Sequence, residues 1–226
     1  MFFLKNRLYL WYNLEKYGEI LMKLDNQGLL IVISGPSGVG KGTVRKALFQ
    51  RSDHDLAYSI SMTTRKPREG EVDGVDYYFV SREEFERRIK NNQFLEYAEF
   101  VGNYYGTPKD KVLDQLNKGS EVVLEIEVNG ASQIKKIMPD AVFIFIAPPT
   151  YDALEKRLIA RGTEHSDAIK ERIEKAHHEI KLANNYDYIV INDEVDNAAD
   201  RIMAIIRAEH AKTSRTLETY YRLMEE

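Results

Sequence analysis

Four short apolar runs punctuate the chain, with stretches of helical spacing between them. Residues 28–34 (GLLIVIS) are apolar and rich in β-branched side chains, the pattern of a strand buried on both faces. Residues 121–127 (EVVLEIE), 141–147 (AVFIFIA) and 188–191 (YIVI) repeat it. Pro148 and Pro149 close the third run, and Asn192 and Asp193 the fourth. Between them, 43–49, 109–118, 131–138, 151–160 and 168–185 are helix-compatible in spacing. Strands alternating with helices predict an α/β fold, a parallel sheet covered by helices on both faces.

Residues 59–106 break this rhythm, being short-patterned, polar and aromatic. Alternation and glycine turns there predict a small antiparallel sheet with one helix near 83–90, a mixed α/β insert. The predicted domain spans 28–207. Its core is 28–58, 108–149 and 176–207, its insert 59–107, and its charged helical lid 150–175, hinged at Gly162. A polar tail follows at 208–226, helical over 209–224 and without assignable chemistry. Residues 1–27 form an extension. Leu4, Leu8, Trp11 and Tyr12 have amphipathic spacing, suited to docking on a partner or a membrane surface. Lys5, Asn6, Arg7 and Asn13 interrupt the apolar run and no small-residue cleavage site follows, which argues against a signal peptide. Met22 reads as the natural start, with the residues before it an artefact.

Composition narrows the chemistry. The 226 residues carry a net charge of −4, which argues against double-stranded nucleic acid as a partner. No apolar stretch approaches the length of a membrane span. There is no cysteine, so disulfides, thiolate nucleophiles and cysteine-ligated zinc are excluded. The five histidines include no pair at ligand spacing; His177 and His178 are adjacent and point apart on a helix. Together with the lack of a targeting signal, this predicts a cytoplasmic protein. Its oligomeric state is not legible.

Gly35, Pro36, Ser37, Gly38, Val39, Gly40, Lys41, Gly42 and Thr43 follow the first strand and open a helix. This is the G-x-x-x-x-G-K phosphate loop in its proper setting. Glycines let backbone N–H groups converge on a phosphate, the helix N-terminus adds partial positive charge, and Lys41 adds a full one. The Ser or Thr that usually follows the lysine is Gly42 here, and Thr43 comes one position later. Gly42 and Thr43 together resemble the variant of several nucleoside monophosphate kinases, as in the adenylate kinase family. Thr43 then meets a phosphate or a metal-bound water.

Residues 61–77 (SMTTRKPREGEVDGVDY), then Glu96, then 102–107 (GNYYGT), closely resemble the guanylate kinase signature, in order and over about 28–207. The resemblance implies transfer of the γ-phosphoryl group of ATP to GMP, with Mg²⁺ accompanying ATP. It places the GMP phosphate on Arg65, Arg68, Tyr77 and Tyr105, and guanine on Glu96 helped by Ser61 and Thr107. The chemistry fits: guanidinium forks match a dianion, and a carboxylate accepts from N1–H and N2–H₂ of guanine. Singly, each of these residues reads as solvated loop or core; as an ordered set beside a phosphate loop they read as a site.

Glu125 and Glu127 end the second buried run, at the sheet edge where α/β ligands bind. Acidic residues are usual there in the family, often Asp at the second position. The longer Glu127 meets guanine or a water on Mg²⁺; Glu125 meets such a water or is a half-buried structural acid. Arg157 and Arg161 share a helix face and Arg172 follows on the next helix. The resemblance assigns these arginines, with Lys41 and Arg65, to the charge that develops on the transferred phosphoryl group. Asn192 matches a position near the adenine ring.

Three other readings compete. A non-catalytic guanylate kinase-like interaction module has a degraded phosphate loop, whereas Lys41 and the glycines stand here. A GTPase switch needs Asn-Lys-x-Asp, and residues 117–120 (NKGS) fail at the last position. A kinase for AMP or shikimate has no use for Glu96 as a guanine reader.

Overall fold

The computed structural model describes residues 28–51, 55–160 and 166–225. Arg161, the Gly162 hinge and the extension 1–27 lie outside the described residues. The strands are β1 (Leu30–Ser34), β2 (Leu56–Tyr58), β3 (Met62–Thr63), β4 (Tyr78–Phe79), β5 (Phe94–Phe100), β6 (Asn103–Pro108), β7 (Glu121–Glu125), β8 (Val142–Ala147) and β9 (Tyr188–Ile191). The helices are α1 (Lys41–Phe49), α2 (Arg82–Lys90), α3 (Lys109–Leu116), α4 (Val128–Ile137), α5 (Tyr151–Ala160), α6 (Ser166–Ile180), α7 (Val195–His210) and α8 (Thr213–Glu225), with a 3₁₀ turn at Lys181–Asn185.

Five strands form one parallel sheet in the order β2-β7-β1-β8-β9. Alternate side chains of β1 enter opposite layers, as a pleat of period two requires. Ile31 and Ile33 pack with Val44 and Leu48 of α1 and Ile202 and Ile206 of α7. Leu30 and Val32 pack with Val112 and Leu116 of α3 and Ala131 and Ile134 of α4. Both faces of β1 are thus dry, which is why it reads as an unbroken apolar run. The run at 188–191 is not buried on both faces as its pattern suggested: β9 is an edge strand, with Ile189 and Ile191 exposed.

The second sheet has the order β4-β3-β6-β5. Its β3–β6 and β5–β6 pairs are antiparallel, while β3–β4 is parallel, so the lobe is mixed rather than wholly antiparallel. Its core is small. Phe85 of α2 is fully buried, stacked 4.3 Å from Phe94 and 5.3 Å from Tyr104. Ser81 caps α2 by accepting the Glu84 N–H, which sets the helix start.

Several boundaries differ from those read in the sequence. β7 stops at Glu125, and Glu127 is the extended N-cap of α4, which therefore begins three residues before 131. α4 ends before Met138, whose non-helical conformation (φ −130°, ψ 72°) precedes Pro139. Residues 56–58, three residues on the sheet edge, form a strand that no apolar run announces. α7 carries the core stripe Ala198, Ala199, Ile202, Met203 and Ile206, and stops at His210. The tail helix is a separate element, turned so that Arg215 reaches buried Glu209 at 3.2 Å and the Asp140 carbonyl at 2.8 Å.

Candidate active site

Five connections leave the sheet at its carboxyl edge: the loop after β1, residues 59–61 after β2, the Glu125–Glu127 segment after β7, Pro148 after β8 and Asn192 after β9. The loop after β1 is the phosphate loop. Gly35 has φ +150°, and a Cβ there would lie 2.3 Å from the Ile146 carbonyl oxygen, so only glycine lets the loop leave β1 against β8. Gly40 is left-handed, with φ +94°, and caps α1 without a side chain. No acid stands in the first turn of α1, whose positive dipole end therefore faces the cavity uncompensated from within the helix.

That cavity has a volume of about 1060 Å³. Gly35, Ser37, Gly38, Gly40, Lys41, Gly42 and Thr43 line it from the loop, and Glu125 and Glu127 from the end of β7. The structure thus gathers most of the predicted loop residues and both acids around one space; Pro36 and Val39 are not in the lining, Val39 being buried in the core beneath the loop. Lys41 Nζ donates to the carbonyls of Gly35 at 2.7 Å and Pro36 at 3.2 Å. Burial pushes its pKa below the ordinary lysine value; the negative charges of Glu179, Glu125 and Glu127 act the other way. Glu125 is paired with Arg45 at 2.7 Å, and the Arg45 guanidinium lies 4.1 Å from the Tyr58 ring centroid.

The predicted insert residues form a second cluster, outside the lining of that cavity, to which the insert contributes Phe100. Glu96 and Thr107 are paired in register across β5 and β6, and the Thr107 hydroxyl donates to Glu96 at 2.7 Å. Burial pushes the Glu96 carboxyl above the usual range, while the Thr107 hydrogen bond pulls it down. Ser61 directly precedes β3, its carbonyl taking the Tyr78 N–H. Tyr77 and Tyr105 meet edge to face at 6.1 Å, and the Arg65 guanidinium lies 5.4 Å from the Tyr77 ring. Arg65 does not stand open: Glu71 takes both arms of its fork at 2.9 and 2.8 Å. Arg68 is exposed and gives its backbone N–H to Glu71 at 2.7 Å. The first turn of α4 joins the two clusters. Glu127 faces the cavity, while a Cβ on Gly130 would lie 3.0 Å from Glu96 Oε2.

Two expectations change. Arg157 is not part of the cavity lining; its guanidinium donates to the Val39 carbonyl at 3.1 Å and the Asn192 carbonyl at 3.2 Å. Asn192 is 3% exposed and spends its Nδ2 on the Val39 carbonyl at 2.7 Å. Both residues brace the loop through the Val39 carbonyl, a backbone acceptor that needs a partner. Arg172 does line the cavity, with Nη2 on the Ser37 hydroxyl at 3.3 Å. The sequence reading missed Lys46, Phe100, Lys175 and Glu179 in the lining and Glu71 as the partner of Arg65. For Lys175 and Glu179 a signal existed: they follow Arg172 at three and seven residues, on one helix face.

Residues 27–209 match the guanylate kinase family. The chain is 60% identical over 206 residues to the guanylate kinase of Onion yellows phytoplasma (strain OY-M), covering 91% of this chain and 97% of that protein. It is 57% identical over 201 residues to the guanylate kinase of Streptococcus thermophilus (strain CNRZ 1066), covering 89% and 96%. The crystal structure of guanylate kinase from Anaplasma phagocytophilum superposes with a TM-score of 0.66 at 36% identity, over 84% of this chain and 90% of that one. A phosphate loop at the sheet edge, an insert bearing Glu96 and these likenesses agree: the chain belongs to the guanylate kinase family.

Proposed function

We propose that the two clusters hold the two substrates of one reaction end to end, ATP on the phosphate loop and GMP on the insert. The chain is an ATP:GMP phosphotransferase, giving ADP and GDP. The observation that carries the division of labour is the α4 turn, which sets Glu127 in the loop cavity and Gly130 against Glu96.

The acceptor phosphate is already an oxygen nucleophile, so the protein's work is positioning and charge neutralisation. Lys41 lies beside the loop carbonyls with its charge supported by three carboxylates, ready to pair with the β- and γ-phosphates. Arg172 reaches the same space from α6. Arg65, oriented by Glu71 and the Tyr77 ring, and Arg68 supply guanidinium donors for the GMP phosphate, with Tyr77 and Tyr105 beside them. Glu96, as a carboxylate, accepts from guanine N1–H and N2–H₂, with Thr107 and Ser61 at the same end.

The residues fit a metal that arrives with the nucleotide. Among the described residues no cluster of His, Cys, Asp and Glu is built to hold an ion by itself. The exposed Thr43 hydroxyl and the Glu125 carboxylate border the cavity and would reach Mg²⁺ on the phosphates through water. Bound there, Mg²⁺ would neutralise part of the polyphosphate charge.

ADP release measured with and without GMP tests this reading. GMP-stimulated turnover, and GMP preferred over AMP, is the expected result. No stimulation would favour the interaction-module reading, and faster AMP turnover would remove Glu96 from the base site. A finer test is Thr107→Val, which keeps the shape and deletes the hydroxyl on Glu96. The loss of about one hydrogen bond predicts a GMP Kd raised roughly five-fold, with ATP binding unchanged in calorimetry.

A further inference from the structure

Helix α6 turns three charged side chains toward the loop cavity, Arg172, Lys175 and Glu179. The reaction as read above uses only the charge of the third, as one of three carboxylates acting on Lys41, and leaves its hydrogen bond unexplained. Glu179 is only 7% exposed, and a carboxylate is seldom buried without specific partners. Its Oε2 accepts the Ser37 N–H at 3.2 Å, and its Oε1 lies 3.7 Å from Lys175 Nζ. Arg172 holds the hydroxyl of the same serine at 3.3 Å. Ser37 is therefore gripped at amide and side chain by two residues two turns apart on one helix. On its far side the loop is braced again, where Asn192 and Arg157 hold the Val39 carbonyl.

We propose that Glu179 is a positioning residue of the triphosphate site: by accepting the Ser37 N–H it fixes the curve of the loop on which the ATP phosphates rest. The proposal rests on the reading of this loop as the ATP site. A loop held in one shape before binding does not spend ligand affinity on being ordered. The acceptor's reach, more than its charge, carries the effect, since Glu125 and Glu127 also support the Lys41 ammonium.

Two variants of the full chain separate reach from charge. Glu179→Asp keeps the charge but withdraws the carboxylate by about 1.5 Å, one carbon–carbon bond, beyond hydrogen-bond range of Ser37. Glu179→Gln keeps an acceptor oxygen in place and removes the charge. By calorimetry, the aspartate variant is expected to raise the Kd for ATP about ten-fold and the glutamine variant less than about three-fold. GMP binding should stay within roughly two-fold in both, since the insert makes no use of this contact. In hydrogen exchange of the wild type, the Ser37 amide is expected to be protected. An unprotected Ser37 amide, an aspartate variant with normal ATP affinity, a glutamine variant as impaired as the aspartate, or equal weakening of ATP and GMP would each overturn the proposal. If Lys41→Ala binds ATP as well as the wild type, the assignment of ATP to the loop fails instead. A normal Lys41 effect beside a silent Glu179→Asp defeats this proposal alone.

Discussion

Replacing Lys41 by alanine is expected to lower kcat for GMP phosphorylation by roughly 10²–10³, the cost of removing one preorganised donor from developing charge. The fold should survive. Lys41 is the first residue of α1, where alanine is a good helix former, and its ammonium donates to two loop carbonyls. Steady-state turnover beside circular dichroism checks both halves of the expectation. Turnover within a few-fold of the wild type would mean that the loop carbonyls, not a phosphate, are the ammonium's purpose.

The second large effect falls on the acceptor. Glu96→Gln replaces one of two acceptor oxygens by a donor facing the donor edge of guanine. kcat/KM for GMP is expected to fall roughly 10²-fold, as the loss of a charged acceptor from a buried donor predicts, while ATP binding is unchanged. If both substrates suffer alike, Glu96 is structural.

The same residue predicts a pH dependence. Burial holds the Glu96 carboxyl above its ordinary value. With guanine on Glu96 as proposed, GMP affinity is expected to fall as pH drops through that raised value. The stability of the free protein runs the other way. A carboxyl with a raised folded pKa binds its proton more tightly in the folded state. Its contribution is complete below the unfolded value and is lost as pH rises through the folded one. In Glu96→Gln both dependences should disappear, in GMP titrations and in Tm measured against pH.

The legible parts of this molecule are those that local rules dictate. Residues 28–34 could only be a buried strand, because a run of β-branched apolar side chains has no polar face to turn to water. The loop that follows was readable because Gly35 and Gly40 sit where a Cβ is excluded or φ is positive, and because a lysine follows them directly. The order of Arg65, Arg68, Glu96 and Thr107 was readable as a family pattern. The strand at 56–58 was not readable, since three half-exposed edge residues carry no period of their own.

The chain's own pattern was enough to read the central parallel strands and the position of the glycine-lysine loop, because pleat, helix turn and left-handed glycine act over a few neighbours. Packing alone chose the partners. Arg157 and Asn192 face the back of the loop instead of its cavity because they meet Val39 there, 118 and 153 positions away. Glu71 takes Arg65, and Glu179 takes Ser37 across 142 positions. Such pairings follow from which elements the hydrophobic core brings side by side, and a carboxylate can satisfy any donor that burial sets within reach.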